Sequence, residues 1–60
     1  MQPRLLTTQE VAEYLGVPVA TLYRWSYMGD GPRRIRVGRH LRYRSLDLER
    51  WLDEQSVVDR

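Results

Sequence analysis

Residues 33–44 read RRIRVGRHLRYR and hold six arginines and no acid. All ten basic residues of the chain are arginine and lysine is absent, a usage that also fits a GC-rich genome. A guanidinium forks onto two phosphate oxygens, or onto the O6 and N7 edge of guanine. The chemistry on offer is therefore recognition of a polyanion. Residues 24–44 carry seven arginines against Asp30 alone, a net +6, whereas residues 1–23 carry −1 and residues 45–60 carry −3. A basic middle between acidic flanks implies an acidic partner such as a nucleic acid.

Bond-making chemistry finds no support. There is no cysteine, and His40 is the only histidine, so a metal site is excluded and His40 is assigned a structural or phosphate-contact role. Asp53 and Glu54 fall on an acidic helix end and read as a solvated face rather than an acid–base pair. No Ser/His/Asp set or phosphate-cradling glycine loop is present. The chain is expected not to be an enzyme and to need no cofactor. No apolar run approaches the roughly 20 residues of a membrane span, and residues 1–6 lack the apolar core of a signal peptide. A soluble chain in the cytoplasm of a bacterial cell is expected.

The elements that must position these side chains follow from local signals. Residues 2–6 read as a short lead-in, with Leu5 and Leu6 able to lie on the first helix. Thr7 and Glu10 form a capping box for a helix over residues 8–15, with Val11, Ala12 and Leu15 as its apolar stripe. Gly16 stands where a positive φ ends a helix. Pro18 restarts the chain within the first turn of a second helix, over residues 18–28. That helix turns Leu22, Trp25, Ser26 and Gly29 inward, with Val19 at the margin, and leaves Ala20, Thr21, Tyr23, Arg24 and Tyr27 outward. The spacing of Ala12, Gly16, Leu22 and Trp25 is that of a helix-turn-helix, whose second helix can enter a major groove. On the outward face Arg24 can read guanine, Thr21 a phosphate or a thymine methyl, and Tyr23 and Tyr27 phosphates.

From residue 33 the period changes to two. Ile35 and Val37 alternate with Arg34 and Arg36, and Leu41 and Tyr43 alternate with His40, Arg42 and Arg44. A turn near Gly38-Arg39 makes this a hairpin. Arg34, Arg36, Arg42 and Arg44 are expected to share one face, with Arg39 at the tip and Arg33 in the preceding loop. Such a ribbon would track phosphates or enter a narrow minor groove. Ser45 is expected to cap a third helix over residues 46–55, with Leu48, Trp51 and Leu52 as its core stripe, followed by a frayed tail over residues 56–60. The fold expected is a single winged helix-turn-helix domain over residues 1–60 with its core in residues 5–55. It is mainly α, with a two-helix motif, a two-stranded wing and a C-terminal helix.

The segments TTQEVAEYLGV, TLYRW, RVGRHLRYR and LDLERWL together resemble the excisionase-type winged helix-turn-helix family, relatives of the DNA-binding domain of MerR-type regulators. The resemblance covers residues 5–52. It implies that Thr21, Tyr23 and Arg24 belong to the recognition helix and Arg36, Arg39 and Arg42 to the wing. At Pro18 the chain departs from the family, which often has a serine there that caps the second helix and contacts phosphate. Only about eight residues follow Leu52, too few for the dimerisation coiled coil of MerR-type regulators. The resemblance then implies a recombination directionality factor: copies bind neighbouring sites beside a phage attachment site, bend the duplex and direct integrase toward excision. The expected partners are double-stranded DNA of the attachment region and neighbouring copies on it, with phage integrase a candidate third. A small phage or prophage transcriptional regulator is the alternative. A module binding an acidic protein is a reading of another class.

Overall fold

The computed structural model describes residues 4–57. The start of the lead-in, residues 1–3, and the end of the tail, residues 58–60, lie outside the described residues. Six elements follow in order: β1 Leu5–Thr7, α1 Thr8–Leu15, α2 Val19–Met28, β2 Ile35–Val37, β3 His40–Arg44 and α3 Ser45–Glu54. Ser56 and Val57 are exposed and belong to no helix or strand.

The capping box that opens α1 is complete. Thr7 Oγ1 accepts from the Glu10 amide at 3.0 Å, and Glu10 Oε1 accepts from the Thr7 amide at 2.9 Å. That amide and then Arg4, 2.9 Å from Glu10, hold the Glu10 carboxyl below its ordinary value of 4.5. The cap is therefore at full strength above that value and is lost as pH falls through the lowered folded one. Gly16 ends α1 at φ 73°, its N–H donating to the Ala12 carbonyl at 2.8 Å.

Two helix starts differ from expectation by one residue. Pro18 sits at the cap position of α2 with extended backbone, φ −64° and ψ 148°, rather than within its first turn. Ser45 is the first residue of α3 rather than its cap. Arg44 holds the cap position without a side-chain hydrogen bond. The cause is the sheet: Arg44 is paired with Leu5 and keeps a strand conformation up to the helix.

The sheet has three antiparallel strands in the order β1-β3-β2. The lead-in supplies the extra strand, pairing Leu5 with Arg44, Leu6 with Tyr43 and Thr7 with Arg42. β3 is thus central, and Tyr43 on it is 1% exposed. It joins Val11 and Ala12 of α1, Leu22 of α2 and Leu48 of α3 in the buried core. Burial pushes its hydroxyl above the usual tyrosine value, against the pull of the Arg34 charge nearby. Around this centre pack Leu6, Leu15, Val17, Val19, Trp25, Trp51 and Leu52. The Trp25 and Trp51 rings lie 5.6 Å apart at 47°, an aromatic contact between α2 and α3.

Gly31 carries the chain closely past Trp25. Its φ is 81°, and a Cβ there would stand 3.0 Å from Trp25 Cε3 and 3.1 Å from Trp25 Cβ. Gly38 also has positive φ, 62°, but open space around it. Gly38→Ala should cost only the left-handed backbone penalty, about 1–2 kcal/mol. Gly31→Ala should cost about 1–3 kcal/mol more, because Trp25 must shift within a packed core. Urea unfolding of the two variants measures the difference. Equal losses would show that the Trp25 ring moves aside freely.

Candidate nucleic-acid interface

The outward side of α2 is where its spacing puts it. Leu22 is buried and Trp25 half-buried against the core, so the opposite side faces solvent. Ala20, Tyr23, Arg24 and Tyr27 are exposed there, with Thr21 half-buried at the margin. Tyr27 is 92% exposed and Tyr23 53%. Met28, 64% exposed, completes the row and was not among the sequence candidates. Its signal was present in the spacing: positions 20, 23, 24, 27 and 28 follow the i, i+3, i+4, i+7, i+8 pattern of one helix face. The end of the helix is closed by Gly29 at φ 82°.

In the wing the arginines do not share one face. Val37 pairs with His40 around the two-residue turn Gly38-Arg39, so Ile35 lies opposite Arg42 and Arg36 opposite Leu41. Directly opposed residues of an antiparallel pair project on the same side. Arg36 therefore shares a side with Leu41 and Tyr43, while Arg42 and Arg44 share theirs with Ile35 and Val37. The alternation within each strand holds. The parity of the loop decides which alternate sets meet, and an even loop brings the apolar positions of β2 onto the arginine positions of β3. The outcome is a ribbon with positive charge on both sides and at its tip, where Arg39 and His40 are exposed.

Each remaining arginine has a distinct setting. Arg34 lies in the loop before β2, and its Nη2 donates to the Ser26 carbonyl in the last turn of α2 at 2.7 Å. A cation on the carbonyls of a helix C-terminus is favourable, and here it joins the Gly29 N–H on the Ser26 oxygen and ties the base of the wing to the helix. Arg42 is half-buried, its Nη1 donating to the Leu41 carbonyl at 2.8 Å. Arg44 is exposed and stands 3.9 Å from Asp47 Oδ2, an oxygen that is buried and has no hydrogen-bond partner among the described residues. Arg33 and Arg36 are exposed. On α3, Glu49, Asp53 and Glu54 are exposed, and Tyr14 on α1 donates to Glu49 Oε2 at 3.5 Å. Among the described residues no group of three or more His, Cys, Asp or Glu is placed to hold a metal ion.

A short helix pair followed by a sheet-borne basic ribbon is the architecture of a winged helix-turn-helix. The family model for the helix-turn-helix domain matches residues 5–56, and the chain belongs to that family. It binds double-stranded DNA. The family includes excisionase-like DNA-binding proteins. No curated protein and no solved structure matches the chain. Among the described residues no helix is long and apolar enough to cross a membrane.

The Arg34–Ser26 bond makes a prediction that separates two kinds of arginine. Arg34→Ala should lower stability by about 1–2 kcal/mol, since it removes a charge-assisted hydrogen bond at a partly buried carbonyl. Arg36→Ala, on an exposed strand position, should stay within about 0.5 kcal/mol of the parent. Denaturant midpoints of the two variants check this. A neutral Arg34→Ala would show that the wing is held without it.

Proposed function

We propose that the chain is a DNA-binding and DNA-bending protein of the excisionase type, which binds beside a phage attachment site and directs integrase toward excision. Ala20, Thr21, Tyr23, Arg24 and Tyr27 of α2 face the major groove, and Arg24 reads base edges. Arg34, Arg36, Arg39, His40, Arg42 and Arg44 make the wing contact, in which the exposed side chains meet phosphates and Arg39 reaches a groove from the tip. The observation that carries this reading is the pairing of an exposed helix face with a ribbon that is positive on both sides, within one helix-turn-helix domain.

The acidic side of α3 supports side-by-side assembly. Glu49, Asp53 and Glu54 would be repelled by phosphates and are free to meet the basic wing of a neighbouring copy, or integrase. An exposed ion pair contributes about a kcal/mol or less, but DNA that holds two copies together raises their effective concentration. Copies along one face can curve the duplex, a deformation costing on the order of 1–6 kcal/mol that the added contacts offset.

Gel-shift titration across an integrase-proximal attachment region tests the proposal. Neighbouring sites should fill cooperatively with increased bending, whereas independent filling without bending favours a repressor-like regulator. With roughly four to six phosphates neutralised, log affinity should fall against log salt with a slope of about −4 to −5. Arg36→Ala should shallow that slope by about one unit, whereas Arg24→Ala should cost about 1–3 kcal/mol and relax choice at one or two base pairs. A slope near zero, or an Arg24→Ala variant with unchanged preference, contradicts the assignment.

A further inference from the structure

The exposed row on α2 has an unusual chemical make-up for a surface that meets DNA. Ala20, Tyr23, Arg24, Tyr27 and Met28 form one continuous face, and only Arg24 is charged. Tyr23, Tyr27 and Met28 leave large apolar bodies in water. They have no core to return to, because Leu22 and Trp25 occupy the inward side of the same helix.

The composition of α2 also restricts what it can read. Its ten residues, VATLYRWSYM, contain no Asn or Gln, the side chains that grip adenine N6 and N7 in a bidentate pair. They contain no Asp or Glu to accept from cytosine N4. Arg24 supplies the guanine reader. The one apolar group that a base pair presents in the major groove is the thymine C5 methyl, which contacts small and aromatic apolar side chains. Ala20 is a methyl-sized contact near the start of the helix. Tyr23 and Tyr27, one turn apart, share the exposed face with Arg24, and Met28 extends the same face with a flexible thioether chain.

We propose that α2 specifies its site through thymine methyl groups flanking a single guanine, with Ala20, Tyr23, Tyr27 and Met28 as the specificity-determining residues beside Arg24. This rests on the reading of α2 as the major-groove helix. In the free protein the face is hydrated. On the duplex it covers methyl groups, and the hydroxyl tips of Tyr23 and Tyr27 remain able to donate to the polar groups around them. Because thymine and uracil pair identically and differ by that methyl alone, the inference separates apolar contact from hydrogen-bond readout.

The test is selection of a preferred duplex from a randomised pool with the full chain, followed by replacement of each thymine in turn by deoxyuridine. At two or more thymines close to one guanine, affinity should fall about fourfold per methyl, the value of burying one methyl-sized group. Tyr27→Gln should remove that loss at one thymine and leave the others. Tyr27 is so exposed that the variant keeps its fold, which far-ultraviolet circular dichroism verifies. Replacement of the guanine by 7-deazaguanine should weaken the parent and leave Arg24→Ala unaffected. An enriched site whose deoxyuridine duplexes all bind within twofold of the parent overturns the thymine inference while the major-groove reading stands. A pool that enriches no sequence overturns both.

Discussion

The burial of Tyr43 is the constraint on which the rest of this small structure depends. Tyr43 lies on β3, the strand that both β1 and β2 need as a partner, and it belongs to a buried core cluster that draws residues from all three helices. The helix pair and the wing therefore share one anchor. A 60-residue chain buries only about 60% of its unfolded surface, so few side chains can take this role. The Arg34 bond to Ser26 and the Trp25–Trp51 contact then fix details of an arrangement that Tyr43 has already imposed. Outside this core lie the exposed face of α2, the wing and the acidic side of α3.

Local signals made much of this legible from sequence. α1 runs from Thr8 to Leu15 because a capping box opens it and Gly16 closes it, and both signals are local. Leu22 and Trp25 of α2 and Leu48, Trp51 and Leu52 of α3 follow from helical spacing for the same reason, whereas Gly29, expected on the inward side, is exposed at the end of the helix. The lead-in strand was not legible. Leu5–Thr7 is three residues long, too short to display a period, and it becomes a strand only because β3 offers an open edge. The wing shows the other limit. Alternation assigned the two sides of each strand correctly but could not say how the strands meet, and the two-residue turn matched Ile35 with Arg42 rather than with Leu41. Register is a property of the pair.

The candidate interface divides in the same way. Ala20, Tyr23, Arg24 and Tyr27 were visible as a face because a helix keeps its phase from one end to the other. Met28 belongs to that face and was obscured by its position beside the terminating Gly29. Arg34 looked like one more wing arginine until the loop brought it against the end of α2, where a carbonyl takes up one of its N–H groups. The distribution of work is physical. Phosphate attraction acts over a distance and tolerates arginines on either side of the ribbon. Base reading requires contact, and the exposed helix face is the surface proposed to make it.

Methylation interference tests the central arrangement most directly. Guanines of a selected duplex are methylated at N7, which blocks the major groove without altering the backbone. Methylation of the guanine read by Arg24 should weaken binding by the parent chain, and Arg24→Ala should bind methylated and unmodified duplex alike. No effect of N7 methylation at any guanine would contradict the placement of α2 in the major groove.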